Sequence, residues 1–315
     1  MIAFLFPGQG SQVVGMGKAL AEAFPECRAP FDEADAALGM SLSRLCFDGP
    51  EEDLRLTEHT QPALLTVSTA ADRLLASRGF RPAFVAGHSL GEYSAHVAAG
   101  TLSFADAVRT VRLRGRFMQE AVPVGVGAMA AILGLDADLV AQACIEAATE
   151  GEVVSPANVN SAAQVVIAGH ASAVARAGER ARALGAKRVM PLNVSAPFHC
   201  ALMKPAEERL TPVLRALGTS EPAVPVVANV DAEIKRDASA AIEALVRQVS
   251  CTVRWEAVVR RLASEGVRTY VEIGPGSVLC GLVKKIDRDA RTLSFGDPSG
   301  LPAIEALFAG LHHES

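Results

Sequence analysis

The residues most able to do chemistry lie between an apolar run, Phe84-Val85-Ala86, and the start of a helix. There stands Gly87-His88-Ser89-Leu90-Gly91, a G-x-S-x-G pattern in the strand-turn-helix setting of a nucleophile elbow. The glycines are a steric demand: in so sharp a turn, a Cβ two residues either side of the serine would strike neighbouring backbone. Ser89 Oγ is then held out at a helix N-terminus. The amide of Leu90 and the positive end of the helix dipole could there stabilise an oxyanion. The plainer alternative is that Ser89 caps the helix and does nothing more.

A serine nucleophile needs a base, and the chain has seven histidines. His312 and His313 fall in the terminal tail, His59 and His96 on predicted helices, and the side chain of His88 should point away from Ser89 Oγ. His170 follows a strand of a small domain. His199 lies in Val194-Ser195-Ala196-Pro197-Phe198-His199-Cys200, where the chain returns to a large domain, and is the histidine expected to face Ser89 across a cleft, with His170 next in line. A Gly-rich loop, Phe6-Pro7-Gly8-Gln9-Gly10-Ser11-Gln12, follows the first strand. Val13 stands where a dinucleotide fingerprint needs glycine. In a parallel sheet this loop emerges at the same edge as the elbow, so the Gln9 amide is a second candidate oxyanion donor. Gly274-Pro275-Gly276 opens at that edge too and reads as a tight turn.

One arginine is on an unexpected face. In the helix predicted over Phe104–Met118, Arg114 borders the arc of Ala107, Met118, Val111, Phe104, Gly115 and Val108, which fall roughly 20–120° from it at about 100° per residue. Arg109, Arg112 and Arg116 cluster at roughly 160–220°, the solvated side. An inward guanidinium is costly unless paired, and its planar fork suits a carboxylate. That carboxylate could be an Asp or Glu of the protein or the free acid group of a substrate.

These residues need a scaffold, and 315 residues, half of them apolar and 21% charged, are ample for one. The 30 Lys+Arg against 35 Asp+Glu give a net charge of -5 with no block of like charges, which disfavours nucleic acid and anionic membranes as partners. No run reaches the roughly 20 apolar residues of a membrane span. The six cysteines are scattered without C-x-x-C, so neither a metal site nor a disulfide framework is expected. With no signal-like start, the expected compartment is the cytoplasm.

The element pattern changes near residue 125. Before it come strand Ile2–Phe6, helices across 16–79, strand Ala83–Ala86 and helices from Glu92 to about Gln119. From Gly127 the order is strand, helix (Asp136–Thr149), strand (Val153–Asn158), strand (Gln164–Ala168), helix (Ala171–Leu184), strand (Arg188–Val194), the ferredoxin-like order. After Pro197 the first pattern resumes, with strands Val224–Asn229 and Thr269–Ile273. The expectation is an α/β protein in which 1–125 and 197–315 form one large domain and 126–196 is inserted, with a ligand cleft between the two.

Phe6-Pro7-Gly8-Gln9-Gly10-Ser11-Gln12, Gln61-Pro62-Ala63, Gly87-His88-Ser89-Leu90-Gly91-Glu92-Tyr93-Ser94-Ala95, Arg114-Gly115 with Met118-Gln119, and Pro197-Phe198-His199 together resemble the malonyl-CoA:acyl-carrier-protein transacylases of type II fatty acid synthesis. The resemblance runs over essentially the whole chain. It implies an α/β-hydrolase-like large domain with a ferredoxin-like insert. It also implies ping-pong transfer of malonyl from malonyl-CoA to the phosphopantetheine thiol of acyl carrier protein. Ser89 would be the nucleophile, His199 the base, the amides of Gln9 and Leu90 the oxyanion hole, and Arg114 the receptor for the malonyl carboxylate. A main-chain carbonyl near Gln248 would orient His199 in place of an aspartate, and Phe198 would crowd a branched α-carbon. Ser250-Cys251 depart from the Asn-Pro or similar pair common in the family. No cofactor is implied, coenzyme A thioester being a substrate, and the expected state is a monomer. A carrier-docking patch should be basic, with Lys204, Lys284, Lys285 and Arg288 as candidates.

Three rival readings share parts of this site. A serine hydrolase or thioesterase would have the elbow, but usually carries its histidine late in the chain. An acyltransferase subunit of malonate decarboxylation or polyketide assembly would run the same chemistry on another carrier. A silent carrier-binding module would not need Ser89, His199 and Arg114 together.

Overall fold

The computed structural model describes residues 1–194 and 196–311, so His312 and His313 lie outside the described residues. In chain order its strands are β1 (Ile2–Phe6), β2 (Phe84–Gly87), β3 (Gly127–Leu133), β4 (Val154–Ser161), β5 (Gln164–His170), β6 (Arg188–Pro191), β7 (Val226–Val227), β8 (Ile234–Lys235), β9 (Thr269–Ile273) and β10 (Arg291–Phe295). They form two sheets, β10-β9-β1-β2-β7-β8 and β4-β5-β3-β6.

β1 shows why the first sheet sits where it does. All five of its side chains are buried. Ile2, Phe4 and Phe6 enter one apolar cluster, Ala3 and Leu5 another on the opposite face. A strand covered on both sides must be apolar throughout, as IAFLF is. β10, β9, β1, β2 and β7 run parallel, and only β8 pairs antiparallel, at the edge. The loops after β1, β2 and β9 therefore leave the same edge of the sheet.

The second sheet is antiparallel, packed on the helices Ala137–Ala147 and Ala171–Ala183 through its own core of Ile132, Val140, Val165, Ile167 and Val174. Its element order and strand order are those of a ferredoxin-like unit. The fold is thus α/β, hydrolase-like in its larger part. The second sheet is tied to the larger part by an isolated bridge: Val159 N donates to Val253 O and Val253 N to Ala157 O, each at 2.9 Å, extending the edge of β4 with a residue of the larger part.

Several boundaries differ from the sequence expectation. The helices expected across 16–79 are five, the last and longest being Thr57–Ser77. β6 stops at Pro191 rather than Val194, and β4 and β5 continue to Ser161 and His170. The strand expected over Val224–Asn229 is reduced to Val226–Val227. Pro225 lacks the N–H a longer ladder would need, although its carbonyl still accepts from Val85 N. β10 was not expected: RTLSF carries Arg291, Thr292 and Ser294 and so lacks the apolar run of a covered strand, and it lies at the sheet edge, where such residues are tolerated.

The elbow's glycines meet the steric demand. A Cβ on Gly87 would lie 1.9 Å from Gly91 O, and one on Gly91 would lie 2.0 Å from Phe6 O. Both obstacles are backbone. Gly91→Ala is therefore expected to cost more than about 4 kcal/mol of stability or to prevent folding. Urea denaturation would read this, and an unshifted midpoint would mean that the turn is looser than described.

Candidate active site

Ser89 sits in the turn between β2 and the helix Leu90–Ala98 with φ 52 and ψ -107, a left-handed conformation that non-glycine residues rarely adopt. Asn229 holds it there. Its Oδ1 accepts from Ser89 N at 2.7 Å and its Nδ2 donates to Gly87 O at 2.7 Å, so one side chain ties both limbs of the turn. The Leu90 amide begins the helix and has no acceptor within it.

His199 also has positive φ, 57, and is 3% exposed. Its Nε2 lies 2.7 Å from Ser89 Oγ and its Nδ1 2.9 Å from Gln248 O. A carbonyl can only accept, so the proton belongs on Nδ1 and Nε2 is free to accept from the serine hydroxyl. Burial, and after it the charge of Arg114, lower the His199 pKa to about 3. The imidazole is neutral at physiological pH, the state a base needs before it acts. His170 is elsewhere, its Nδ1 accepting from Val153 N at 3.0 Å. His88 points away from the nucleophile, as expected, with Nε2 2.8 Å from Asn160 Oδ1 on β4.

Arg114 is 2% exposed on the helix Phe104–Glu120. Nη1 donates to Gln61 Oε1 at 2.7 Å, and Nη2 to Gln248 Oε1 at 2.9 Å and to Ser89 Oγ at 3.2 Å. Its guanidinium also lies 5.4 Å from the Tyr93 ring centroid. The partners that hold it are thus neutral, and no carboxylate is in salt-bridge contact with it among the described residues. A buried cation so held is poised for an anion that comes from outside. Arg109, Arg112 and Arg116, by contrast, face outward.

These groups line one cavity of about 390 Å³. Gln9, Leu90 and Phe198 stand in its wall beside Ser89, His199 and Arg114. Phe198 packs against the large core on one side and against Met129, Ala157 and Val166 of the second sheet on the other. The cavity is therefore walled by both sheets' surroundings. Gly274-Pro275-Gly276 does not reach it; the helix that follows, Val278–Ile286, contributes Val278, Leu279 and Leu282. Of the candidate docking lysines, Lys204 pairs with Glu207, Lys284 donates to Arg288 O, and Lys285 donates to Gln164 Oε1.

Asn229, the side-chain amide of Gln248 and Glu92 are not among the residues that the sequence singles out, and Gln61 has no role assigned from it. Glu92 carried a signal: an acid inside Leu90-Gly91-Glu92-Tyr93-Ser94-Ala95, all of it buried, must have buried donors. Its Oε2 accepts from Asn229 N at 3.0 Å and from Gln248 Nε2 at 2.8 Å.

Residues 3–294 match the model of the family described as "Acyl transferase domain". A malonyl CoA-acyl carrier protein transacylase of Bacillus subtilis is 52% identical over 307 residues, 97% of each chain. The crystal structure of an acyl carrier protein S-malonyltransferase from Vibrio cholerae superposes with a TM-score of 0.94 at 48% identity, covering 96% of this chain and 99% of that one. A malonyl-transacylase solved in complex with its type II PKS acyl-carrier protein, 50% identical, gives 0.93 over 95% and 97%. With its elbow, histidine and buried arginine carried on the same fold over nearly its full length, the chain belongs to the acyl transferase domain family.

Proposed function

We propose that this chain is an acyltransferase that carries the malonyl group from malonyl-CoA to the phosphopantetheine thiol of acyl carrier protein, supplying fatty acid synthesis. Ser89 Oγ attacks the thioester carbonyl as its proton passes to His199 Nε2, and the oxyanion is held by the amides of Gln9 and Leu90. The tetrahedral intermediate collapses to a malonyl-serine ester, and the departing coenzyme A thiolate takes the proton from His199. The carrier thiol then gives its proton to His199 and attacks the ester. Expulsion of Ser89 Oγ, reprotonated by His199, restores the enzyme. Gln248 O keeps the imidazole in the tautomer this needs, with less stabilisation of the imidazolium than an aspartate would provide.

The observation that carries this reading is Arg114: a buried guanidinium with neutral partners, one of its nitrogens 3.2 Å from the nucleophile. A hydrolase of neutral acyl groups has no use for it. Phe198 beside the base would crowd a donor branched at the α-carbon. In this enzyme 126–196 would be an inserted domain between the two parts of the large one, 1–125 and 197–315, with the donor bound between them. The enzyme would act as a cytoplasmic monomer and without a cofactor, since the serine itself carries the acyl group; among the described residues no helix is long and apolar enough to cross a membrane.

Intact-protein mass spectrometry after separate incubation with malonyl-CoA and acetyl-CoA tests it. A malonyl adduct should form preferentially and discharge on addition of phosphopantetheinylated carrier protein, while surviving in buffer. Loss to water at the same rate with and without carrier would make the chain a hydrolase.

A further inference from the structure

We propose that Glu92 is the resident counter-ion of Arg114 and, acting through the Gln248 amide, sets how tightly a malonyl carboxylate is held. The proposal rests on Arg114 being the receptor for that carboxylate. Gln248 spans the two charges: Oε1 accepts from Arg114 Nη2 at 2.9 Å, while Nε2 donates to Glu92 Oε2 at 2.8 Å and to Ser89 O at 2.9 Å. Chemistry fixes the orientation of this amide. Arg114 can only donate and Ser89 O can only accept, so the amide oxygen must face the guanidinium and its NH₂ the carboxylate.

The cation and anion are thus separated by the width of one primary amide. A direct ion pair would occupy the guanidinium fork and compete with the substrate for it. A bridged pair stabilises the buried charge and leaves the fork open toward Ser89. Glu92 is a positioning residue: it is 0% exposed and does not line the cavity. Its negative charge opposes that of an incoming carboxylate, which weakens malonyl binding and keeps the acyl group from being held too firmly to leave.

Burial raises the Glu92 pKa to about 7, against the hydrogen bonds from Gln248 and Asn229. The charged groups facing it are Asp231, from the turn after β7, and Arg114. Asp231 is paired with Lys235 and Arg247, its pKa lowered by their hydrogen bonds despite burial, and the neighbouring Tyr93 hydroxyl is raised to about 12 by burial. His199, at about 3, is neutral above pH 5. Between pH 6 and 8 Glu92 alone of these groups changes charge.

Glu92→Gln is nearly isosteric and can still accept from Asn229 N and Gln248 Nε2; it removes the charge and puts an NH₂ where Oε1 has no partner, a packing change common to both donors. In single-turnover acylation at pH 8, the half-saturating malonyl-CoA concentration should fall about three- to tenfold, and that for acetyl-CoA should change less than about twofold. At pH 6, where wild-type Glu92 is largely protonated, the difference between the proteins should shrink. A malonyl value that stays or rises at pH 8, or a common shift for both donors, would overturn the role given to Glu92. The wild-type protein supplies a second test should the variant not fold: its malonyl-to-acetyl ratio of half-saturating concentrations should rise from pH 6 to 8, and a flat ratio would overturn the proposal. A wild-type protein that takes up no malonyl group brings down the proposed function together with this inference; one that does, with Glu92→Gln unmoved, brings down the inference alone.

Discussion

Ser89→Ala is expected to gain no mass on incubation with malonyl-CoA, and its transfer rate should fall on the order of 10⁵-fold or more. The size of the effect follows from what remains. Oγ bonds both His199 Nε2, at 2.7 Å, and Arg114 Nη2, at 3.2 Å. Without it the base has no proton to remove and the oxyanion donors have no tetrahedral centre to stabilise. The neighbouring thiol does not substitute: Cys200 Sγ donates to Pro197 O and burial raises its pKa to about 11, so little thiolate is present. Alanine carries the same backbone strain as serine at φ 52, and Asn229 still ties the turn, so the variant should melt near the wild type. A persistent adduct on the folded variant would remove Ser89 as nucleophile.

How much of this site could be read from the sequence depended on whether the signal was local. The elbow is local, because its five-residue pattern lies between an apolar run and a helix start; Gly87 is dictated within that turn, by Gly91 O, while the clash that dictates Gly91 is with Phe6 O of β1. Arg114 was legible because helical periodicity compares one residue with its neighbours, and the burial of Ala107, Val108, Val111 and Gly115 around it follows that arc. The ferredoxin-like order was legible for the same reason, each strand and helix announcing itself by its own pattern. Side chains that only bridge distant partners were not. Asn229 meets Ser89 across 140 residues, Gln248 meets Arg114 across 134 and Glu92 across 156. A buried glutamine on an amphipathic helix looks the same whether it bridges two charges or merely fills space. Edge strands such as β8 and β10 were lost because, with one neighbour each, they need no long apolar run.

Arg114→Ala should separate malonyl from acetyl donors, and the direction follows from burial. The substrate carboxylate must give up its water to enter a cavity whose other lining groups near Ser89 are neutral side chains: Gln61, Met118, His199 and Phe198. With the guanidinium gone, that anion is buried without a partner, which typically costs about 3–5 kcal/mol, so malonyl-CoA should lose on the order of 10²–10⁴-fold in the rate of acylation at low donor concentration. Gln61 Oε1 and Gln248 Oε1 also lose their donor, which adds a smaller penalty common to every donor. Acetyl-CoA brings no carboxylate and pays only that common penalty. Loss of the guanidinium even removes a positive charge that opposes the imidazolium forming on His199. Its acylation rate should therefore fall less than about tenfold. Arg114→Lys keeps the charge but not the planar fork, and should fall between the wild type and alanine for malonyl while leaving acetyl nearly unchanged. The ratio of the two acylation rates, measured on the same preparations, isolates the carboxylate contact from any general disturbance of the pocket. If alanine lowered both donors equally, Arg114 would be a structural cation and the malonyl carboxylate would have to find its partner elsewhere in the cavity.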